Sequence, residues 1–414
     1  MSTGTGEGQW TGMENHGLRY RRVTLCIALG ALLGCHRPTA VGAQTCSAPS
    51  RPPSPPGLIA PPDLSRGINA RAWILRGAVP SADQGSLSLA DLEAIRALGF
   101  TYVRLQVDPW LISRGDSLAV PPLQCVMDGL AWLASVGLSV VIDLHPPDAT
   151  KPYLLSDPAG SAWFEGIVGA VAAELEQRGV GHVGLELINE PARPATAPPG
   201  WDWNDVQRRL WRAARQRAHS LTLLLSGDQG SSVAGLLRVT PVPDSNVVYV
   251  VHYYGSYMFT HQGAFWGTWK GTPYQYMARV PYPSDPARVA LVMPEILGRL
   301  PERDQREQAQ AMLVRYGAER WNAVRIHAAL EPAAEWARAN GTRVAITEFG
   351  VFGQAAEKGD RAAWLRDVRT AAEQLGLGWA MWRFWDYGAG FGMLDQARRP
   401  DTLVVRALGL IPRS

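Results

Sequence analysis

The chain has 414 residues, of which 46% are hydrophobic and 19% are charged, the balance expected of a globular protein. Its formal charge is +3, and once the four Arg and two Glu before residue 47 are set aside, 36 basic and 35 acidic residues remain. This charge does not provide the basic surface that nucleic-acid binding needs, so no nucleic-acid partner is predicted.

Residues 1–45 have the pattern of an export leader. Three arginines precede an apolar run at 23–34 that is too short to span a bilayer as a helix. Two ends of this leader fit the sequence: a small-residue cleavage site at 41–43, or a Leu-Leu-Gly-Cys lipobox that ends at Cys35. We predict an exported protein, periplasmic or extracellular, whose only membrane contact would be a lipid on Cys35.

Only two cysteines, Cys46 and Cys125, follow the leader. They either pair in an oxidising compartment and tie the amino-terminal arm to the next domain, or Cys125 is a buried thiol in a helix. Nothing here resembles metal-ligand spacing, so neither a metal nor a cofactor is predicted. Residues 46–63 are rich in Pro and Ser and are interpreted as an extended linker before one domain at 64–414.

From residue 64 onward, short apolar runs alternate with amphipathic stretches, the pattern of a parallel α/β fold. Eight strands are predicted, the number that closes a (β/α)8 barrel, at 66–69, 102–105, 139–144, 183–189, 222–226, 246–253, 343–348 and 378–382. Helices are predicted between them, at 89–98, 123–135, 162–178, 205–219, 232–237, 305–340 and 360–375. We expect the helix at 305–340 to break near Gly317.

The connection after the sixth predicted strand, 257–301, is long, aromatic and punctuated by Gly and Pro. A long structureless connection in a compact barrel is more often functional than accidental. Its aromatic side chains either line a cleft at the carboxyl face or pack on one another, and the two roles are compatible. We expect Trp266 and Trp269 to present ring faces to a ligand, and Phe259 and Phe265 to anchor the loop.

Two of the predicted strands end in a glutamate. Asn189 and Glu190 close the fourth strand, because Pro191 has no backbone donor and stops it, and Glu348 closes the seventh. A single strand-end glutamate is most simply a solvated charge. Since chemistry in such barrels is done at the carboxyl ends of the strands, the matched pair instead fits the two carboxylates of a retaining glycosidase.

Polar or aromatic residues also close other strands: Arg104, His145, His252 with Tyr254, and Trp382. Each of them alone has an ordinary structural explanation, such as a hydrogen-bonded histidine at a strand end. Six of the eight predicted strands end in this way, which chance explains poorly.

On these motifs the sequence resembles glycoside hydrolase family five, the cellulase family of (β/α)8 barrels. The resemblance covers nearly all of 64–400, with Asn-Glu-Pro and Thr-Glu-Phe-Gly on the family's fourth and seventh strands. It implies that Glu190 is the acid/base and Glu348 the nucleophile. It also implies substrate-binding or orienting roles for Asn189 at the 2-hydroxyl, Arg104 and Tyr254 beside the nucleophile, His145 and His252 as hydrogen-bonding residues, and Trp382 as the floor of the −1 subsite.

Two further features bear on this resemblance. Residues 390–395 resemble the segment that follows the eighth-strand tryptophan in many members of the family, whereas a second tryptophan, Trp385, departs from the pattern. The implied mechanism needs carboxyl groups about 5–5.5 Å apart, an ionised Glu348 beside Arg104, and a protonated Glu190 whose pKa is raised by burial and by the Glu348 charge.

The predicted function is therefore that of an exported, monomeric endo-β-glycanase with a polysaccharide substrate. β-1,4-Glucan is the first choice, and β-mannan or an exopolysaccharide made by the same cell comes next, because the family does not fix the sugar. The rival is a catalytically silent carbohydrate-binding barrel, which should lack Glu190, Glu348 or Arg104. All three are present.

Overall fold

Eight parallel strands form a closed barrel in which each strand lies beside the next one along the chain and the last pairs with the first. The strands are β1 Arg66–Ala70, β2 Tyr102–Val107, β3 Ser139–Leu144, β4 Val183–Glu186, β5 Thr222–Ser226, β6 Val247–Tyr253, β7 Arg343–Phe349 and β8 Gly378–Met381. The predicted (β/α)8 fold is confirmed, and no strand boundary differs from its prediction by more than three residues.

The structure is a computed structural model that describes residues 59–70, 87–179, 181–192, 201–385, 390–395 and 397–410. The leader with Cys35 and its two candidate ends, and most of the predicted linker with Cys46, lie outside these ranges. Among the helices that the structure does describe, none has the length and apolar character needed to cross a membrane.

Helices surround the barrel, and each predicted helix is present. They are Leu89–Ala97, Val120–Ser135, Lys151–Ser156, Pro158–Arg178, Trp203–Arg215, Asp228–Ser231, Val233–Leu236, Arg303–Glu319, Ala323–Ala339, Lys358–Gln374 and Thr402–Ala407. The helix predicted at 162–178 begins four residues earlier, because Asp157 accepts hydrogen bonds from the backbone N–H groups of Ala159 and Gly160 while Pro158 occupies the first helical position.

The stretch predicted as one broken helix at 305–340 is two helices, and the break lies at Arg320 rather than at Gly317. Arg320 adopts a left-handed conformation with φ 51°, and Asn322 then caps the second helix by accepting from the N–H of Arg325. Gly317 lies inside the first helix, where an added Cβ would come within 3.1 Å of the Cα of Pro286. This glycine therefore permits close helix packing and does not end the helix.

The connection at 257–301 is not structureless, so that part of the prediction is wrong. It contains a short helix at Tyr257–Thr260, 3-10 turns at Gly267–Trp269 and Pro273–Tyr276, and a 14-residue helix at Pro286–Arg299. Asp285 caps this last helix by accepting from the N–H of Arg288. An internal proline, Pro294, breaks the sequence pattern by which the helix would have been recognised.

Side chains inside the barrel form an apolar layer near the amino-terminal ends of the strands. This buried cluster consists of Tyr102, Val141, Leu224, Val248, Val250, Ala345 and Ala380, and Leu64 packs against it. The last residues of the predicted linker lie against the same end, since Ala60 donates its N–H to Gly181 and accepts from Val183 at 3.1 Å each. The next inward-facing positions along several strands are polar.

Cys125 lies in the helix Val120–Ser135, as predicted, and it is disulfide-bonded. The alternative of a free buried thiol is therefore wrong. Cys46, the predicted partner, lies outside the described residues.

The apolar layer leaves no room for a side chain at Gly67 in β1, because a Cβ there would overlap the ring of Tyr102. We predict that Gly67→Ala lowers the free energy of unfolding by about 1–3 kcal/mol, measured by urea denaturation. Gly359→Ala is the matched control, because Gly359 is exposed in a helix and no atom lies within 4 Å of its added Cβ. Equal stability of the two variants would contradict the packing described for the barrel interior.

Candidate active site

The guanidinium of Arg104 in β2 is the centre of a buried network at the carboxyl end of the barrel. Arg104 is fully buried and donates to Glu186 through two nearly parallel bonds, from Nε at 2.7 Å and from Nη2 at 2.8 Å. Its Nη1 also donates to Glu348 at 2.6 Å, and its Nη2 lies 3.1 Å from Asp143. One buried cation thus pairs with three carboxylates, and this bidentate geometry is specific to arginine.

Two side-chain amides complete the bonding of Arg104. Asn69 in β1 accepts from Nη1 at 2.9 Å, and its own amide donates to the backbone carbonyl of Thr347 in β7 at 2.8 Å. Asn189 accepts from Nη2 at 2.9 Å. Because these partners come from strands on different sides of the barrel, the network fixes the strand ends relative to one another.

The electrostatics of this network are dominated by burial. Burial raises the pKa of the Glu186 carboxyl, against the opposing effect of Arg104, and the charge of Asp143 raises it further. Burial acts in the same direction on Asp143, but Arg104 and His145 together hold the pKa of that carboxyl below its usual range. Arg104 itself stays charged, since the three carboxylates outweigh its burial and raise its pKa.

Glu348, at the end of β7, receives one donor on each carboxylate oxygen. Arg104 donates to Oε1 at 2.6 Å and the hydroxyl of Tyr254 donates to Oε2 at 2.9 Å. The pKa of Tyr254 lies far above its usual range because the ring is buried and faces the charges of Glu348 and Glu190, so this hydroxyl keeps its proton. Thr260 in turn donates to the carbonyl of Tyr254 at 2.8 Å and fixes the residue.

Glu190 follows β4, and His252 of β6 lies close to both Glu190 and Glu348. The Nδ1 atom of His252 is 2.9 Å from Oε1 of Glu190 and 3.5 Å from Oε2 of Glu348. The side chain of Glu190 is 34% exposed, whereas that of Glu348 is 5% exposed. The structure therefore brings both predicted glutamates together, with Glu348 held tightly and Glu190 open to the outside.

The proton of the Glu190–His252 pair lies on the histidine, which corrects the expectation of a raised Glu190 pKa. Burial would raise the pKa of Glu190, but the hydrogen bond and charge of His252, with the charge of Lys151, lower it to about 2. Burial would lower the pKa of His252, but the charge of Glu348 and the hydrogen bond and charge of Glu190 raise it above 6.5. With the proton on the histidine, Nδ1 donates this hydrogen bond to Oε1 of Glu190.

Glu190, His252 and Glu348 each offer one possible metal-ligand atom within 4.8 Å of the others. Among the described residues they are the one group with this property. Arg104 and Tyr254 already donate to the two oxygens of Glu348, and Nδ1 of His252 is hydrogen-bonded to Glu190. This donor set fits proton transfer better than cation binding, because a bound cation would compete with the Arg104 charge.

Trp382, the predicted floor residue, and His145, a predicted hydrogen-bonding residue, lie together on the β3 and β8 side of the site. The ring of Trp382 lies beside that of His145, with centroids 6.2 Å apart and planes 18° apart. His145 also bonds to Asp143 at 2.7 Å, and its Nε2 is 3.3 Å from the amide nitrogen of Asn189. The second tryptophan, Trp385, is covered instead by the guanidinium of Arg398 at 4.6 Å.

The aromatic side chains of 257–301 form a cluster that reaches Tyr254. Trp269 contacts His261, Tyr257 and Tyr274, with ring centroids 4.8, 5.4 and 4.6 Å away, and Trp266 lies 4.7 Å from Phe352. Both tryptophans are half-buried, so they belong to a loop core and still offer surface, and their binding role stays a prediction.

Of the two phenylalanines expected to anchor this loop, only one does so. Phe259 is fully buried and packs against Tyr282, whereas Phe265 is 59% exposed, so its predicted anchoring role is wrong. Tyr257, which the sequence reasoning did not single out, is 44% exposed and close to the site. Its burial and the charges of Glu190 and Glu348 raise its pKa to about 12.

The sequence reasoning missed four buried polar residues of the site: Asn69, Asp143, Glu186 and Lys151. The usable signal was their position, since the first three are polar residues inside strands that are otherwise apolar. Asn69 pairs in register with Arg104, and Asp143 with Glu186, while Asp143 lies two residues beyond Val141, the partner of Arg104 on β3.

A closed barrel of eight parallel strands, with two facing carboxylates at the strand ends, defines the class of barrel glycosidases. Comparison with known families agrees, because the Cellulase model, described as glycosyl hydrolase family 5, matches residues 88–388. The chain belongs to glycosyl hydrolase family 5.

Several similar proteins are named as endoglucanases. Endoglucanase 3 of Fibrobacter succinogenes is 24% identical over 360 residues, which are 84% of this chain and 53% of that protein. Endoglucanase C of Acetivibrio thermocellus is 24% identical over 346 residues, 81% of this chain and 94% of the relative. The chain therefore spans about half the length of the first of these relatives.

Solved structures show the same fold at lower identity. The cellulose synthase subunit Z (CcsZ) of Clostridioides difficile superposes with a TM-score of 0.63 at 19% identity, over 84% of this chain and 99% of that chain. Cel5A of Thermotoga maritima, solved in complex with mannotriose, superposes with a TM-score of 0.62 at 19% identity, over 83% of this chain and 97% of that chain.

We predict that Arg104→Met destabilises the protein by about 3–5 kcal/mol at pH 7, because it leaves Asp143, Glu186 and Glu348 buried without their counter-charge. The loss should be smaller at pH 5. Without Arg104, its charge no longer opposes the burial that raises the pKa of Glu186 and that acts in the same direction on Asp143. The folded state then binds more protons and gains stability as the pH falls.

Urea denaturation at both pH values tests this prediction. Glu186→Gln is the matched control, because it removes one of the three charges and leaves Arg104 paired with the other two. A loss for Arg104→Met that is independent of pH, or smaller than that of the control, would contradict the electrostatic account.

Proposed function

We propose that this protein is an exported retaining endo-β-glycanase that hydrolyses β-1,4-glucan by double displacement. The observation that carries the proposal is the pair Glu190 and Glu348, which present oxygens within 4.8 Å of each other at one end of the barrel. Retaining glycosidases separate their carboxyl groups by about 5–5.5 Å, and inverting enzymes by roughly 6.5–9.5 Å. The names of the two endoglucanase relatives support the substrate class.

In the first step, Glu348 would attack the anomeric carbon while the glycosidic bond to the leaving sugar breaks. Arg104 and Tyr254 donate to its two oxygens and so hold the carboxylate group in position for the attack. The leaving oxygen needs a proton, and Glu190 is the exposed carboxyl group next to it.

That proton would come from His252 through the 2.9 Å hydrogen bond to Glu190. Once Glu348 has formed the glycosyl ester it loses its negative charge, which removes one of the causes that raise the His252 pKa. Glu190 is then the base that takes a proton from the incoming water and returns it to the histidine. The ester is released as free sugar and Glu348 regains its charge, so protons balance over the cycle.

The identity of the sugar is proposed from the aromatic rings of the site and from the names of similar proteins. The ring faces of Trp382 and of the aromatic cluster suit pyranose rings, whose C–H faces are apolar. β-Mannan is an alternative, and one structural neighbour is described in complex with mannotriose. An exopolysaccharide of the same cell is another, and a second neighbour is described as a cellulose synthase subunit.

Export is proposed on two grounds. The leader pattern at 1–45 is that of a secretory signal, with cleavage after 41–43 or lipid attachment at Cys35 as alternatives. The disulfide at Cys125 also suits an oxidising compartment outside the cytoplasm.

Product analysis on pure polymers tests the function. The protein without its leader should release mixed short oligosaccharides from a soluble β-1,4-glucan faster than from β-1,4-mannan, and viscosity should fall early if cleavage is internal. Glu348→Gln is the control for contaminating activity. Binding without release of products would support the silent carbohydrate-binding barrel instead.

The two glutamates should respond differently to azide, a small external nucleophile. Glu348→Ala cannot form the ester, so azide should restore activity and give a glycosyl azide of inverted configuration. Glu190→Ala should still form the ester from a substrate with a good leaving group, and azide should then give the retained product. NMR of the azide products measures this, and the same configuration from both variants would mean that the roles are misassigned.

Activity should fall on the alkaline side as the Glu190–His252 pair loses its one proton. Because the pKa of His252 is raised above 6.5, this fall in kcat/KM should lie above pH 6.5. In His252→Asn the proton must reside on Glu190 itself, so the alkaline limb should move to lower pH. pH profiles of kcat/KM for both proteins test this, and an unshifted limb would argue against a shared proton.

A further inference from the structure

Lys151 is a buried cation at the active-site end of the barrel whose charge helps to lower the pKa of Glu190 but which transfers no proton in the mechanism above. It is the first residue of the helix Lys151–Ser156, which follows β3, and it is 2% exposed. Its Nζ atom donates to the backbone carbonyl oxygen of Glu190 at 2.9 Å. On its other side it pairs with the largely exposed carboxylate of Asp148 at 2.7 Å.

The carbonyl that Lys151 contacts belongs to an unusual stretch of backbone. Glu190 has φ 43°, a left-handed conformation that side chains other than glycine rarely adopt and that the surroundings must hold in place. The next residue is Pro191, which has no N–H, so the peptide group between them can be held by hydrogen bonding only through its carbonyl oxygen. Lys151 supplies that bond.

Burying an ammonium group is unfavourable unless it is paired and hydrogen-bonded. On its outer side, the Lys151 ammonium group pairs with Asp148. On its inner side, Nζ donates to the backbone carbonyl oxygen of Glu190, the residue whose carboxyl group bonds to His252. The neighbouring peptide is held separately, by the N–H of Gly230 to the carbonyl of Pro191 at 3.2 Å. The backbone of Glu190 is thus fixed from two sides, and Lys151 provides the charge-assisted bond.

We propose that Lys151 is a positioning residue, which holds the left-handed backbone of Glu190 and so aims its carboxyl group at the leaving-group oxygen. This inference rests on the proposed acid/base function of Glu190. A displacement of about 1 Å at a catalytic group is enough to lower a rate by roughly a hundredfold. Loss of Lys151 should therefore lower the rate only with substrates whose leaving group needs a proton from Glu190.

The dependence of kcat/KM on the leaving group distinguishes a positioning role of Lys151 from a merely structural one. The constant kcat/KM reports the steps up to ester formation, and a 2,4-dinitrophenyl glycoside needs almost no proton for that step. A methylumbelliferyl glycoside and the polymer need more assistance, because their leaving groups are poorer. A displaced Glu190 carboxyl group should therefore leave kcat/KM for the dinitrophenyl glycoside nearly unchanged and lower it for the methylumbelliferyl glycoside and the polymer.

The experiment compares Lys151→Met with the wild-type protein on the dinitrophenyl and methylumbelliferyl β-cellobiosides and on soluble β-1,4-glucan. We expect kcat/KM to fall about tenfold to a hundredfold on the polymer and the methylumbelliferyl substrate, and by less than about threefold on the dinitrophenyl substrate. An equal fall on all three, or no fall, would overturn the proposal.

Two variants serve as controls. Lys358→Met makes the same chemical change at an exposed lysine on a helix and should leave all three constants at their wild-type values. Asp148→Asn removes the ion pair but leaves the bond from Lys151 to the carbonyl, so it should keep the wild-type ratio between substrates. A ratio changed by Asp148→Asn as much as by Lys151→Met would show that the ion pair, and not the carbonyl bond, matters.

A crystal structure of Lys151→Met gives a readout that is independent of activity. We expect the Glu190 carboxyl group to move about 1 Å or more from its 2.9 Å contact with Nδ1 of His252, and an unchanged contact would overturn the proposal. If the wild-type protein cleaves none of the substrates, the proposed function fails and this structural comparison still decides the role of Lys151. If Lys151→Met does not fold, Lys151→Arg, which keeps the charge but shifts the donor, undergoes both measurements with a smaller expected change.

Discussion

The ion pairing of a single guanidinium inside the barrel is the interaction on which the site depends. Arg104 is surrounded by three carboxylates, so the buried group as a whole has an excess of negative charge. Hydrogen bonds stabilise this group further: His145 bonds to Asp143 and Tyr254 donates to Glu348, while Asn69 and Asn189 accept from Arg104. The same excess keeps the proton on His252, because the nearby charge of Glu348 favours the imidazolium.

Inside the barrel, the apolar side chains that stabilise the fold and the polar side chains of the candidate site lie at different levels along the barrel axis. The cluster from Tyr102 to Ala380 fills the amino-terminal half with apolar side chains, and the arm at residues 59–64 covers that end. The polar layer above therefore rests on buried apolar side chains. Arg104 lies two residues after Tyr102 on β2, which is one inward-facing position along the strand.

The sequence predicted the fold well because the eight strands are apolar runs bounded by turns. Glu190 was found because Pro191 marks where its strand stops, and Glu348 because it closes a second apolar run in a matching position. Interior charges were harder to predict. Glu186 lies three residues before the strand-end Asn189, with a leucine on each side, and only its inward register beside Asp143 reveals its part in the network. The helix Pro286–Arg299 was missed because its prolines resemble loop punctuation, although Pro286 occupies the first turn, where proline is favourable.

The proton position was predicted wrongly for a related reason. Burial and the charge of Glu348 were visible from sequence as causes that raise the pKa of Glu190, but its hydrogen bond to His252 depends on the approach of β6 and the β4 end across the barrel. No spacing in the sequence specifies that contact. Likewise, Lys151 lies 39 residues before the carbonyl that it binds.

The unequal exposure of the two glutamates has a consequence for the direction of the reaction. Glu348 is 5% exposed and, once esterified, would be shielded by the sugar that it carries, whereas Glu190 is 34% exposed and faces outward. On the proposed mechanism, Glu190 deprotonates whatever hydroxyl group arrives beside it, and a sugar hydroxyl meets the same base as water does. At high oligosaccharide concentration the site should therefore also join sugars together, lengthening some chains while it shortens others.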